Sequence, residues 1–317
     1  LKNQKVLVTG ANGFIGAHLA RRLVQENAQV AVSVRESSDV WRLDEIKADI
    51  DIHKVDLRDF SAVENCIKQT KPDFIFHVGA YGVDSRQKEY LTAANTNIIG
   101  TMNMINATKS TGCKKFINVG TCMEYGDKQE IIREDAHLEP DSIYGSTKAS
   151  ATIIAHQIAA EHHIDIVTLR PFGIFGEKEG THKFFPYIIL SILEGKEVHL
   201  TPCEQYRDYC YIENIMDGFI LAAQNESVKN EIFNIGSGEV RKLKVYVDMI
   251  YKEMGISQRP QYGALAYRKN EVWKQQPDTS KIRNALAWQP KVDLTEGIAR
   301  TVRWYQANKN KFIGTGR

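Results

Sequence analysis

Short apolar runs that alternate with longer helical patterns constrain this chain more than anything else in it. The runs are KVLVTG (5–10), QVAVSV (29–34), DIHKVDL (51–57), FIFHVG (74–79), KFINVG (115–120) and DIVTLRP (165–171). Helical stretches fall near 14–26, 59–69, 91–111 and 144–162. Strands joined through helices run parallel with right-handed crossovers. The runs are apolar on both faces, as a sheet covered by helices on both sides requires. The expectation is an α/β fold with a doubly wound parallel sheet. After Pro171 glycines and prolines crowd together, strands shorten, and FFPYIILSILEGK (184–196) reads as an isolated helix. This predicts one region from 1–172 and 209–233, and a smaller α+β region from 173–208 and 234–317. The tail KFIGTGR (311–317) is expected to be loosely held.

Composition narrows the class. Among 317 residues, 43% are hydrophobic and 25% charged, which suits a soluble globular protein and is too apolar for disorder. The formal charge of +2 leaves no electrostatic footprint for nucleic acid or a membrane surface. No apolar run reaches the roughly 18 residues of a spanning helix, and the opening LKNQKVLVTG has no secretory h-region. Five cysteines without a C-x-x-C pair argue against disulfides and a metal site, and fit a reducing cytoplasm.

VLVTGANGFIG places Gly10, Gly13 and Gly16 between the first strand and first helix. Glycines there allow a tight turn, and the helix N-terminus offers N–H groups to a pyrophosphate. In that context the motif predicts a Rossmann-type dinucleotide site. NAD sites usually carry Asp or Glu at the end of the second strand; here stand Val34 and Arg35, with Ser33, Ser37 and Ser38 nearby. A charge-assisted bond from Arg35 to a 2′-phosphate, worth about 1.5–3 kcal/mol, favours NADP(H), with NAD(H) as the alternative and a solvated surface arginine as the plain reading. Asp56 and Leu57 fall where an adenine would lie, although Asp56 serves equally well as the cap of a helix beginning at Phe60.

YGSTK sets Tyr144 and Lys148 on one helix face. A phenol needs a downward shift of up to ~3 units, or ~4 kcal/mol, to move protons near neutrality. A cation ~4 Å away at an effective dielectric of ~20 supplies about that much; Lys148 is the expected source.

With TGANGFIG, DLRD, FHVGA, NTNIIGT, YGSTKA, LRPFGIFG, RDYCYIEN, NIGSG and PDTSKIRNALAWQPKVDLTEGI in order, the chain resembles the extended short-chain dehydrogenases/reductases that act on nucleotide sugars. The resemblance implies a hydroxyl at Thr121, four residues before Tyr125, that works with Tyr144 and Lys148. It also implies cofactor contacts at Asn12, Phe14, Ile15, Val78, Gly79, Ala80, Asn97 and Pro171, and a diphosphate contact at Arg207. Dehydratases of the family carry acids at the positions of Cys122 and Met123. Their absence argues against elimination and suggests that both residues pack beneath nicotinamide or sugar. Gly173 replaces the usual substrate-binding Asn. The nearest likeness is to the 4-ketoreductases that form CDP-paratose and CDP-abequose. It implies a cytoplasmic homodimer, through helices near 91–111 and 144–162, working in deoxysugar and lipopolysaccharide O-antigen biosynthesis. Two other readings stay open: a 4-epimerase with tightly held NAD, and a redox sensor that binds dinucleotide without turnover.

Overall fold

The computed structural model describes residues 1–84, 86–109, 111–269 and 271–313. The first part of the chain forms strands β1 (Lys5–Thr9), β2 (Gln29–Val34), β3 (Ile50–Lys54), β4 (Phe74–His77), β5 (Lys115–Val119) and β6 (Ile166–Pro171). Its helices are α1 (Phe14–Gln25), α2 (Phe60–Thr70), α3 (Tyr90–Ala94), α4 (Gly100–Thr108) and α5 (Ile143–Glu161). Then follow β7 (Gly173–Phe175), α6 (Phe184–Leu193), β8 (His199–Leu200), β9 (Tyr206–Tyr211), α7 (Ile212–Gln224), β10 (Glu231–Ile235) and β11 (Val240–Lys242). The last elements are α8 (Leu243–Glu253), β12 (Gln261–Tyr262), β13 (Lys274–Gln275), α9 (Ser280–Leu286) and α10 (Leu294–Asn308).

Seven strands pair in the order β10-β6-β5-β4-β1-β2-β3, every pair parallel. The expected Rossmann-type sheet is present. Side chains alternate between two cores: Val6 and Val8 pack with Leu19 of α1 and Phe219 of α7, while Leu7 packs with Ile67, Ile105 and Ala159 on the other face. Each large apolar side chain so buried contributes about 1.5–3 kcal/mol. Winding reverses between β1 and β4, and a crevice opens there at the strands' carboxyl ends.

Two helices differ from expectation. The helix expected over 91–111 is α3, a π-helical turn at Asn95–Ile99, and α4, which ends at Thr108; Ser110 lies outside the described residues. In that turn the Asn97 side chain is tied to other elements: its Oδ1 accepts from Tyr81 N at 2.8 Å, and its Nδ2 donates to Thr147 Oγ1 at 2.8 Å. Asp56 does not cap α2. Asp59 does, accepting from Ala62 N at 3.2 Å, because it stands directly before the first helical residue.

In the second region β9 lies between β7, β11 and β13. Residues 209–211 pair with β7 and therefore side with the small sheet, and the return to the main sheet runs through α7 and β10 as far as Ile235. Asp208 in β9 holds the turn after β10, accepting from Ser237 N at 2.7 Å and Gly238 N at 2.6 Å. The expected loose tail falls partly outside the described residues, at 314–317. Among the described residues no helix is long and apolar enough to cross a membrane.

Candidate active site

The crevice is built first from backbone. Gly10 has φ of +64°, and a Cβ there would lie 2.6 Å from the Gly79 Cα, so the loops after β1 and β4 touch. A Cβ on Gly16 would lie 2.4 Å from the Gly10 carbonyl, so α1 sits directly on the loop. Gly13 is the N-cap of α1, with no side-chain cap and no acidic residue in the first turn. Among the described residues the leading N–H groups, around Phe14, Ile15 and Gly16, have no capping side chain, and this 12-residue helix fits a pyrophosphate. Arg42 pins the loop by donating to Asn12 O at 3.3 Å and Lys178 O at 2.8 Å.

Behind the loop, Thr9 Oγ1 accepts from the N–H groups of Val78 and Gly79 at 3.1 and 3.0 Å. Its own proton goes to His77 Nδ1 at 2.9 Å, which leaves His77 Nε2–H for Thr101 Oγ1 at 2.9 Å. Thr101 in turn donates to Asn97 O at 2.6 Å. One tautomer of His77 satisfies the whole chain. Burial, helped by the Lys148 charge, pushes His77 down to about 3, so that tautomer stays neutral. Leu57 packs behind Gly79, and Ala80 follows half-buried.

At the far end of the crevice Val34 is buried and Arg35 exposed. The Ser38 hydroxyl, in the same turn, is buried without a partner among the described residues. Asp56 is gripped by Arg58 at 2.9 and 3.0 Å, which, together with Arg35, holds its carboxyl below the usual range.

Ser142 caps α5, accepting from Gly145 N at 3.1 Å, and so starts the helix that presents Tyr144 and Lys148. Lys148 is buried and Tyr144 half-buried. Thr121 stands beside Tyr144, and its Oγ1 accepts from Met123 N at 3.3 Å. The expected lowering of Tyr144 by Lys148 is not seen. Burial pushes the phenol well above its ordinary range, Thr121 opposes this, and the Glu124 carboxylate adds to it. Burial lowers the Lys148 ammonium, with Glu124 opposing.

On the second region's side, Gln275 Nε2 lies 3.5 Å from both Cys122 Sγ and Met123 Sδ. Burial pushes the Cys122 thiol up to about 12, so it is no general acid or base near neutrality. Arg207 sits opposite Gln275 in the β9–β13 register and donates to Glu271 at 3.1 Å. Gly173 is a packing position: a Cβ there would meet Asp208 O at 2.3 Å. Pro171 ends β6 beside Ile235 of β10. His162 and His163 are exposed after α5. Among the described residues no cluster of His, Cys, Asp or Glu is arranged for a metal ion.

Sequence reasoning missed Thr9, His77, Arg42, Gln275, and a buried ion pair between Glu124 and Arg170. The available signal was a charge inside an apolar strand, at Arg170, which needs a buried partner.

The model of the NAD dependent epimerase/dehydratase family matches residues 6–236. A UDP-glucuronate 4-epimerase of Thermodesulfobacterium geofontis is 27% identical over 95% of this chain and 96% of its own. A dTDP-glucose 4,6-dehydratase of an Actinoplanes strain is also 27% identical, over 96% and 99%. Among solved structures, a UDP-glucose 4-epimerase of Thermotoga maritima with UDP-glucose superposes with a TM-score of 0.89, at 27% identity, covering 96% of this chain and 99% of that one.

Proposed function

The chain belongs to the NAD dependent epimerase/dehydratase family, and from that premise we propose that it reduces the 4-keto group of a nucleotide-linked 4-keto-6-deoxy-hexose with NADPH. The observation that carries this reading is the Thr121–Tyr144 pair on a crevice whose neighbouring positions hold a buried thiol and a thioether. Elimination of water from a sugar needs acid and base groups beyond the one that serves the carbonyl. Cys122 and Met123 do not supply them, whereas hydride transfer to a carbonyl needs only one proton donor.

The roles follow from the chemistry. The free N–H groups at the start of α1 hold the pyrophosphate, and Arg35 with the Ser38 hydroxyl receives a 2′-phosphate. The bound nicotinamide supplies the hydride. Thr121 donates a hydrogen bond to the carbonyl oxygen, which polarises it and fixes its place. Tyr144 gives its proton to that oxygen as charge develops, and the product is the alcohol. Lys148, on the same helix face as Tyr144, holds the nicotinamide ribose. Arg207 exchanges Glu271 for the sugar nucleotide's diphosphate, for which a guanidinium fork is suited.

A second reading, reversible oxidation and reduction at C4 by a 4-epimerase, draws support from the names of two of the relatives. One assay separates the two. The protein is mixed with NADPH or NADH and 4-keto-6-deoxy-hexoses linked to CDP, dTDP or UDP, and absorbance is followed at the nicotinamide band. NADPH oxidation with a 4-hydroxyl product supports the reductase. Interconversion of two nucleotide hexoses without added cofactor, and no NADPH oxidation with any keto sugar, replaces it with the epimerase.

A further inference from the structure

Glu124 is fully buried directly beneath the Thr121–Tyr144 pair, at a position where the sequence offered no reason for a carboxylate. Its Oε1 accepts from Thr121 N at 2.9 Å and from Thr152 Oγ1 at 3.3 Å. Its Oε2 accepts from Arg170 Nε at 2.8 Å. The same guanidinium donates through Nη1 to the Tyr125 hydroxyl at 2.8 Å, and that hydroxyl donates to Asn234 Oδ1 at 2.8 Å. The chain of bonds thus runs from the backbone of Thr121 to β6 and β10, deep in the main sheet.

A second observation is independent of these bonds. Gly120 has no side chain where the pair lies against the backbone: a Cβ there would stand 2.6 Å from Glu124 Oε1 and 2.9 Å from Arg170 Cγ. The strand end is thus shaped around the ion pair. A buried pair is a weak source of stability, because taking two charges out of water costs about what their attraction returns. It is well suited to holding one geometry, since the carboxylate and the guanidinium are each tied to partners on separate elements.

We infer that the Glu124–Arg170 pair is a positioning device, which fixes the Thr121 backbone, and with it the place of the Thr121 hydroxyl beside Tyr144, and which sets the negative charge felt by the Tyr144–Lys148 helix face. Neither residue is placed against substrate. The inference rests on the roles given above to Thr121, Tyr144 and Lys148. The charged and titratable groups around Lys148 are Tyr144 on its own helix, Glu124 in the turn after β5, His77 at the end of β4, and Arg170 beyond Glu124.

The test does not need the substrate. Protein carrying 13Cε-lysine is titrated by NMR, and the Lys148 signal is assigned by its loss in Lys148→Met. Glu124→Gln keeps the shape and removes the charge, so the Lys148 midpoint should move to lower pH by roughly one unit, as the loss of one nearby negative charge at an effective dielectric of ~20 implies. Glu124→Gln/Arg170→Leu leaves no orphaned buried charge and should show a shift in the same direction. With any substrate that is turned over, Glu124→Gln should lower kcat about tenfold while KM changes less than twofold. A folded variant with an unmoved Lys148 midpoint overturns the inference, and so does loss of the fold in both variants, which would make the pair purely structural. Failure of the functional reading looks different: there Tyr144→Phe retains wild-type turnover, whatever Glu124→Gln does to Lys148.

Discussion

At the scale of single residues, two substitutions separate binding from chemistry. Arg35 is exposed beside Ser38, whose buried hydroxyl has no partner among the described residues, and no carboxylate stands at Val34. Arg35→Ala should weaken NADPH about tenfold to a hundredfold, the equivalent of one charge-assisted bond, and leave NADH nearly unchanged. Fluorescence titration with both cofactors reads this directly, and equal affinities in the unaltered protein would remove Arg35 from cofactor choice. Tyr144→Phe should leave those affinities intact and lower turnover about 10²–10⁴-fold, because only the transferable proton is lost. The residues that carry these predictions were legible in the sequence because their chemistry depends on local spacing. Glu124 was not, because its role depends on Arg170, 46 positions away, and a carboxylate next to YG reads as surface until the strand that buries it is known.

At the scale of elements, the β-α alternation was legible and the element ends were not. Runs such as DIHKVDL continue past the end of β3 because the residues that follow are buried too: Val55 still donates to Val34 O at 2.9 Å, and Leu57 packs into the core beyond the last pair. The π-helical turn at Asn95–Ile99 was hidden for a related reason. Asn97 in that turn grips Tyr81 and Thr147, which lie in other elements. The contact of α1 with its glycine loop makes a prediction at this scale. Gly16 has no room for a methyl group, with the Gly10 carbonyl 2.4 Å from a Cβ and Ala11 Cα 2.8 Å away. Gly16→Ala must push the helix off the loop. The expected result is loss of dinucleotide binding by at least tenfold, together with destabilisation of about 1–3 kcal/mol from overpacking, read by calorimetric titration and urea unfolding. Unchanged binding would mean that the helix start is not where the pyrophosphate rests.

At the scale of the whole molecule, one strap, residues 176–180, ties the two regions together. His18 of α1 donates Nε2–H to Glu177 O at 2.8 Å, Arg42 donates to Lys178 O, and Tyr305 of α10 donates to Glu179 O at 2.9 Å. Two titratable groups in this seam are held neutral. Burial pushes His18 down to about 3, and burial pushes Glu179, whose Oε2 has no partner among the described residues, up to about 8. Their effects on stability have opposite signs. His18 takes up its proton more readily unfolded, so its contribution is lost as pH falls below 6.5. Glu179 holds its proton more tightly folded, so its contribution is full below the unfolded value near 4.5 and is lost as pH rises toward 8. Between pH 4.5 and 6.5 the two slopes cancel, and above 6.5 only the Glu179 slope remains. Glu179→Gln cannot ionise. Relative to the unaltered protein it should therefore gain about 2 kcal/mol as pH is raised from 6.5 to 9, at a rate approaching 1.4 kcal/mol per unit through the steepest part. Urea unfolding of both proteins at pH 6.5, 8 and 9 measures the gain. A difference that stays constant across those three values would place the Glu179 carboxyl in contact with water and dismiss it as the source of the alkaline instability.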